Sequence, residues 1–154
     1  EPSALLTPAA KMPGLDGQKM SKSYDNTISL REPIELISSK IKKMPTDPAR
    51  IRLTDAGDPK KCPVWQLHEV YSKEPTKLWV TEGCTTAAIG CLECKRPVID
   101  SIVAELEPIQ KRAEEYEKDP DIVRSIILEG SEAAREEAKV TLNDVRVAMG
   151  LTNW

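Results

Sequence analysis

The chain has no phenylalanine, and only 4% of its 154 residues are aromatic. Aliphatic side chains must therefore fill whatever core it builds. No stretch approaches the ~18 apolar residues of a membrane span, and no secretory signal is visible. A cytoplasmic protein without membrane contact is the expectation. Strand signals are nearly missing as well: Ala4-Leu5-Leu6-Thr7 is the one short apolar run that reads as a strand. An excess of positive charge is also lacking. The net charge is −3, which does not advertise a nucleic-acid binder. There is a single histidine, His68, among apolar residues; it reads as a satisfied core or surface group rather than a ligand.

The charge is unevenly spread. Residues 1–62 carry a balance of +3 and residues 63–154 a balance of −6. The basic part holds Lys19, Lys22, Lys40, Lys42, Lys43, Arg50, Arg52, Lys60 and Lys61, so phosphate contacts belong there. Glu114-Glu115 and Glu136-Glu137 read as exposed helix charges rather than catalytic pairs.

Helices dominate after residue 30. Pro33 suits a first helical position, with Ile34, Ile37 and Ile41 on one face and Met44-Pro45 as the stop. Pro63–Tyr71 and Pro75–Glu82 read as short helices, and Cys84 to Cys91 as a loop. From Leu92 to Lys118 apolar residues recur at helical spacing, and Pro108 should kink or restart that helix. Asp119-Pro120 opens the next one, which Gly130 should close. Ser131 then caps a last helix that turns Ala134, Ala138, Leu142, Val145 and Met149 inward and ends at Gly150. The predicted fold class is mainly α: a helical bundle preceded by the C-terminal edge of an α/β, Rossmann-like nucleotide-binding domain.

The richest stretch is Pro13-Gly14-Leu15-Asp16-Gly17-Gln18-Lys19-Met20-Ser21-Lys22-Ser23. Two lysines and two serines occupy five consecutive residues behind a segment with two glycines. Lysine is a compact charge on a flexible stem and suits phosphate. Two such charges can meet the negative charge that builds on a pyrophosphate leaving group. Gly14 and Gly17 admit tight turns, Ser21 and Ser23 can donate to phosphate oxygens, and Met20 can pack inward. Lys-Met-Ser-Lys-Ser is similar to the second signature of class I aminoacyl-tRNA synthetases. With Gly14-Leu15-Asp16-Gly17 before it and Asn26-Thr27-Ile28-Ser29-Leu30 after it, the run resembles tryptophanyl-tRNA synthetases of bacteria.

That resemblance covers essentially the whole chain and implies a set of expectations. Residues 1–30 would be the tail of a catalytic domain, and residues 31–154 a helical anticodon-binding domain. Lys19 and Lys22 would be catalytic, and Lys19, Met20, Ser21, Lys22 and Ser23 would bind ATP, supplied with Mg. The partners implied are tryptophan and tRNA(Trp), in a parent enzyme that is a homodimer. The first signature of the class, His-x-Gly-His or similar, has no counterpart here. The chain is therefore expected to be a C-terminal fragment, inactive alone. The rival readings are the related tyrosyl enzyme and a helical, metal-binding tRNA module without catalysis.

Four cysteines, Cys62, Cys84, Cys91 and Cys94, follow the spacing C-x21-C-x6-C-x2-C. Free buried thiols are one reading; disulfides are disfavoured in a reducing compartment. A redox pair at Cys91 and Cys94 lacks its βαβ context. All four lie within 33 residues, in the least helix-like part of the chain, and four thiolates can hold zinc or a [4Fe–4S] cluster. The spacing resembles that of a subset of bacterial tryptophanyl-tRNA synthetases with a [4Fe–4S] cluster, whose first gap is one residue longer. The implied cofactor is that cluster, with zinc as the alternative. Lys95 and Arg96 adjoin Cys94 and are, by residue type and place, the candidate tRNA contacts.

Overall fold

The computed structural model describes residues 2–6 and 11–151. It contains five α-helices: α1 (Ile34–Lys43), α2 (Pro63–Tyr71), α3 (Glu74–Thr85), α4 (Cys91–Lys118) and α5 (Pro120–Ala148). Short 3-10 turns occupy Lys22–Tyr24 and Pro59–Lys61. Among the described residues there is no strand, only an isolated antiparallel bridge between Pro13 and Lys19. The expected strand at Ala4-Leu5-Leu6-Thr7 is not formed over its described residues, and Thr7 lies outside them. The mainly helical class holds.

The chain forms two compact units, residues 1–110 and 111–154. The core of the first is aliphatic: Ile37, Ile41 and Met44 of the α1 segment, Val64 and Leu67 of α2, and Val98, Ile99, Ile102 and Leu106 of α4. Ile37 and Ile41 are fully buried, one helical turn apart, and each contributes roughly 1.5–3 kcal/mol relative to exposure. Helix α1 starts one residue later than expected, with Pro33 as its N-cap. It stops before Pro45, and its end is bound from outside: Lys95 of α4 donates to the carbonyls of Lys42 and Met44, both at 2.7 Å.

Helix α2 has the predicted bounds, with Cys62 as N-cap and Pro63 in its first turn. Helix α3 runs three residues past the expected end, so Cys84 is helical and the following loop is shorter. That loop folds back tightly. Ala88 and Ile89 both donate to the Gly83 carbonyl, at 2.8 and 3.2 Å, and a Cβ at Gly83 would come within 2.8 Å of Ile89. Trp79, on α3, is exposed.

Helix α4 runs unbroken through Pro97 and Pro108. Each proline removes one intrahelical bond. The buried stripe Val98, Ile102 and Leu106 carries the helix across both. In the second unit α5 also runs unbroken, through Gly130 and Ser131, where two helices were expected. Gly130 does not adopt positive φ, so it stays in the helix at a cost of about 1 kcal/mol relative to alanine. Pairs at i,i+3 follow it, Glu132 with Arg135 and Glu136 with Lys139. The true stop is Gly150, at φ +70°. Its N–H donates to Val147 and that of Leu151 to Arg146, which closes the helix in a Schellman motif. No residue of α5 is buried, so the apolar side chains expected to point into a core there are uncovered among the described residues.

Candidate functional site

The lysine loop is a compact reversal. Met20 donates to the Met12 carbonyl at 2.9 Å, Gly14 to Gln18 at 2.6 Å and Gly17 to Gly14 at 3.0 Å. Gly17 has φ +82°, a conformation open chiefly to glycine. The loop's hub is Asn26, 2% exposed. Its amide nitrogen donates to Asp16 Oδ1 at 2.7 Å and to the Lys19 carbonyl at 3.2 Å. Its amide oxygen accepts from Ser21 N at 2.7 Å, and its backbone carbonyl accepts from Leu15 N at 2.9 Å. A Cβ at Gly14 would overlap this amide, so Gly14 is required by close approach. The Asn26 amide, and then the Gln18 N–H, hold the Asp16 carboxyl below its ordinary pKa.

With the backbone pinned from inside, Lys19 and Lys22 project into solvent. Among the described residues neither ammonium has a hydrogen-bond or ion-pair partner. Ser21 and Ser23 share a hydrogen bond of 2.9 Å between their hydroxyls. Met20 lines a cavity of about 220 Å³ with Met12, Ile28, Leu67, Tyr71 and Leu106. The segment behind the loop is tied down too. Lys40 pairs with Glu32 at 2.5 Å and donates to the Thr27 carbonyl, and Gln110 of α4 donates to the carbonyls of Leu30 and Glu32. Sequence reasoning quoted Asn26 only as part of a flank. A buried asparagine ten residues from Asp16 has no local signal.

The cysteines gather from three helix ends. Cys62 caps the start of α2, Cys84 sits in the last turn of α3, and Cys91 and Cys94 lie in the first turn of α4. All four are free thiols. Burial pushes the Cys94 thiol up to about 12, and charge on Cys62, Cys84 and Cys91 adds to the rise. Among the described residues, no three His, Cys, Asp or Glu side chains converge closely enough to share a single metal ion. His68 is fully buried, with Nδ1 2.8 Å from Ser72 Oγ and Nε2 3.1 Å from the Cys94 carbonyl. Burial depresses its pKa to about 4; it is a satisfied core histidine beside Cys94.

The residues flanking Cys94 separate. Arg96 is exposed. Lys95 is only 3% exposed, and its ammonium donates to the carbonyls of Lys42 and Met44. One turn into α4 the two neighbours point to different sides, Lys95 inward and Arg96 outward.

The family model for class I tRNA synthetases (W and Y) matches residues 1–107. The chain belongs to that family. The chain is 57% identical to a tryptophan–tRNA ligase of Ralstonia nicotianae over 99% of its own length and 38% of the relative's. It is 45% identical to a tryptophan–tRNA ligase of Thermotoga maritima, over 98% of its length and 46% of the relative's. Its fold matches the crystal structure of a tryptophanyl-tRNA synthetase from Campylobacter jejuni, solved with ADP and tryptophan, at a TM-score of 0.78. The match has 23% identity and covers 92% of this chain and 44% of that one. The chain thus spans less than half the length of these relatives. No described helix is long and apolar enough to cross a membrane.

Proposed function

We propose that this chain supplies the ATP-phosphate loop and the tRNA-binding helices of a tryptophan–tRNA ligase, working in the cytoplasm as part of a homodimer. The carrying observation is the loop: two exposed ammonium groups, unpaired among the described residues, on a backbone pinned by Asn26, in a chain 57% identical to such a ligase over nearly all its length. In the reaction the tryptophan carboxylate attacks the α-phosphorus of ATP, and pyrophosphate leaves. Charge builds on the leaving group, and Lys19 and Lys22 meet it. A preorganised backbone means that little reorganisation is needed at that moment. Ser21 and Ser23 offer hydroxyls to phosphate oxygens, and Met20 seats the loop against its apolar cavity. Tryptophanyl adenylate then passes its acyl group to tRNA(Trp). Tryptophan is favoured over tyrosine by the relatives' names.

In the whole enzyme, Lys22→Ala should lower kcat for tryptophan-dependent pyrophosphate exchange by about 10²-fold or more, with tryptophan affinity nearly unchanged. Equal losses in both would assign the loop a structural role only. Arg96, exposed in the second turn of α4, is the more accessible of the two candidates for tRNA contact, beside the buried Lys95. Its replacement by alanine should weaken tRNA(Trp) binding and leave pyrophosphate exchange intact.

Cys62, Cys84, Cys91 and Cys94 are the residues that would hold a [4Fe–4S] cluster. The fit rests on the chemistry of the donor set. Four free thiols feel one another's charge without converging on one point. Cys62, Cys91 and Cys94 lie at the N-terminal ends of α2 and α4, whose dipoles would favour thiolate ligands in a bound centre. When bound, the cluster would clamp three helix ends and organise the adjacent tRNA-binding surface rather than perform redox chemistry.

A further inference from the structure

We propose that Glu32 is a positioning residue for the lysine loop: it fixes, through the backbone of residues 27–32, where Lys19 and Lys22 are carried. The proposal rests on the ligase reading above and adds to it a residue outside the lysine motif. Glu32 stands just before Pro33, the N-cap of α1, and is only 8% exposed. A carboxylate is seldom buried without partners, because taking its charge out of water is costly. Both oxygens of Glu32 are matched. Oε1 pairs with Lys40 of α1 at 2.5 Å, and Oε2 accepts from Ser29 N at 3.3 Å.

These bonds lead to the segment that follows the loop. Glu32 N donates to the Ser29 carbonyl at 3.1 Å, so side chain and backbone together close a turn from both ends. Lys40, which Glu32 holds, also donates to the Thr27 carbonyl at 3.2 Å, and Thr27 adjoins the Asn26 hub. From another direction Gln110 of α4 donates to the carbonyls of Leu30 and Glu32, at 3.3 and 2.9 Å. All of these residues lie in the first unit. Residues 27–32 are thus held by α1 and α4 at once, and the Glu32–Lys40 pair is the connection that reaches Thr27.

A buried ion pair adds little net stability over apolar groups of the same volume. What this one supplies is direction, since it fixes a carbonyl of the chain as it leaves Asn26. The Asn26 side chain in turn fixes the Lys19 carbonyl and Ser21 N. A continuous route of bonds therefore runs from Glu32 through Lys40, Thr27 and Asn26 to the backbone that carries the two lysines. The proposed chemistry needs such direction. The ammonium groups must meet charge as it develops on the leaving group, and a misplacement of ~1 Å at a reacting centre can cost about 10²-fold in rate.

The test is a double-mutant cycle in the whole enzyme: wild type, Glu32→Gln, Lys22→Ala and the two combined. Each is read as kcat for tryptophan-dependent pyrophosphate exchange, as tryptophan affinity, and as hydrogen exchange at the Ser21 amide. Glu32→Gln keeps the size of the side chain and removes the charge that holds Lys40. It should lower kcat about 10–100-fold, leave tryptophan affinity nearly unchanged and speed exchange at Ser21. In the Lys22→Ala background the same substitution should cost less, because one of the charges through which Glu32 acts is gone. Wild-type kcat in Glu32→Gln would overturn the proposal. So would unchanged exchange at Ser21, since Glu32 would then not hold the loop. A merely structural Glu32 would lower the melting temperature and give the same fractional loss of kcat in both backgrounds, which also counts against it. A wild-type enzyme without tryptophan-dependent exchange would instead overturn the ligase reading on which the proposal rests. Should Glu32→Gln lose its helicity by circular dichroism, Lys40→Met, at a side chain 30% exposed, removes the same link to Thr27 and carries the comparison. A smaller loss of kcat in the Lys22→Ala background than in the wild type upholds the proposal, and an equal loss overturns it.

Discussion

Replacing Asn26 by alanine should loosen the lysine loop without touching either lysine. The side chain makes three hydrogen bonds. Two of them, from Ser21 N and to the Lys19 carbonyl, satisfy backbone groups that are part-buried. Their loss costs about 1 kcal/mol each, and more where water cannot replace the partner. The bond to Asp16 is left out of the sum, because that carboxylate is exposed and rehydrates. The total is about 2–4 kcal/mol, a large share of a stability that is usually ~5–15 kcal/mol. It corresponds to a fall in melting temperature of roughly 10 °C for a unit of this size. Thermal melting by circular dichroism measures it, with hydrogen exchange at the Ser21 amide as the local readout. Lys22→Ala serves as control, since a surface change away from such features stays within about 0.5 kcal/mol. Melting within about 2 °C of wild type, together with unchanged exchange at Ser21, would refute the idea that Asn26 holds the loop.

Lys95→Met should destabilise the first unit by about 2–4 kcal/mol, because the Lys42 and Met44 carbonyls lose their donor. Chemical denaturation with an unchanged m-value checks it, and a stability equal to wild type would show the cap to be dispensable. The Asp47 carboxyl is held below its ordinary pKa by the Asp58 N–H and then the Ala49 N–H. A depressed carboxyl contributes stability above its unfolded value, near ~4, and that contribution is lost as the pH falls through the folded value. Asp47→Asn should therefore lower stability at neutral pH and flatten its decline in acid. Parallel pH profiles for the two proteins would contradict this.

The local order along the chain was legible where one residue type dictates backbone geometry. Pro63 after Cys62 gave α2 its bounds, Pro45 gave α1 its end, and Gly150 closed α5. The same grammar misled where a stop signal was overridden. Pro97 and Pro108 sit inside α4, whose buried aliphatic stripe outweighs two missing hydrogen bonds. Gly130 stays helical because nothing there demands positive φ. The exposed lysines of the loop were visible as a motif. Their support was not: Asn26 reaches back ten residues to Asp16, and Gln110 of α4 ties down Leu30 behind the loop from 80 residues away.

The amino-acid sequence by itself determined the lysine loop, the helical class and the set of four thiols, because each is a matter of residue type and short spacing. The tertiary structure decided which of these residues face solvent and which are consumed inside. It left Lys19 and Lys22 exposed, turned Lys95 inward onto α1, and carried Arg50 across 34 residues to Cys84. Those choices depend on which helix ends meet, and that is set by the burial of Ile37, Leu67, Val98 and Ile102 in one core rather than by any local signal.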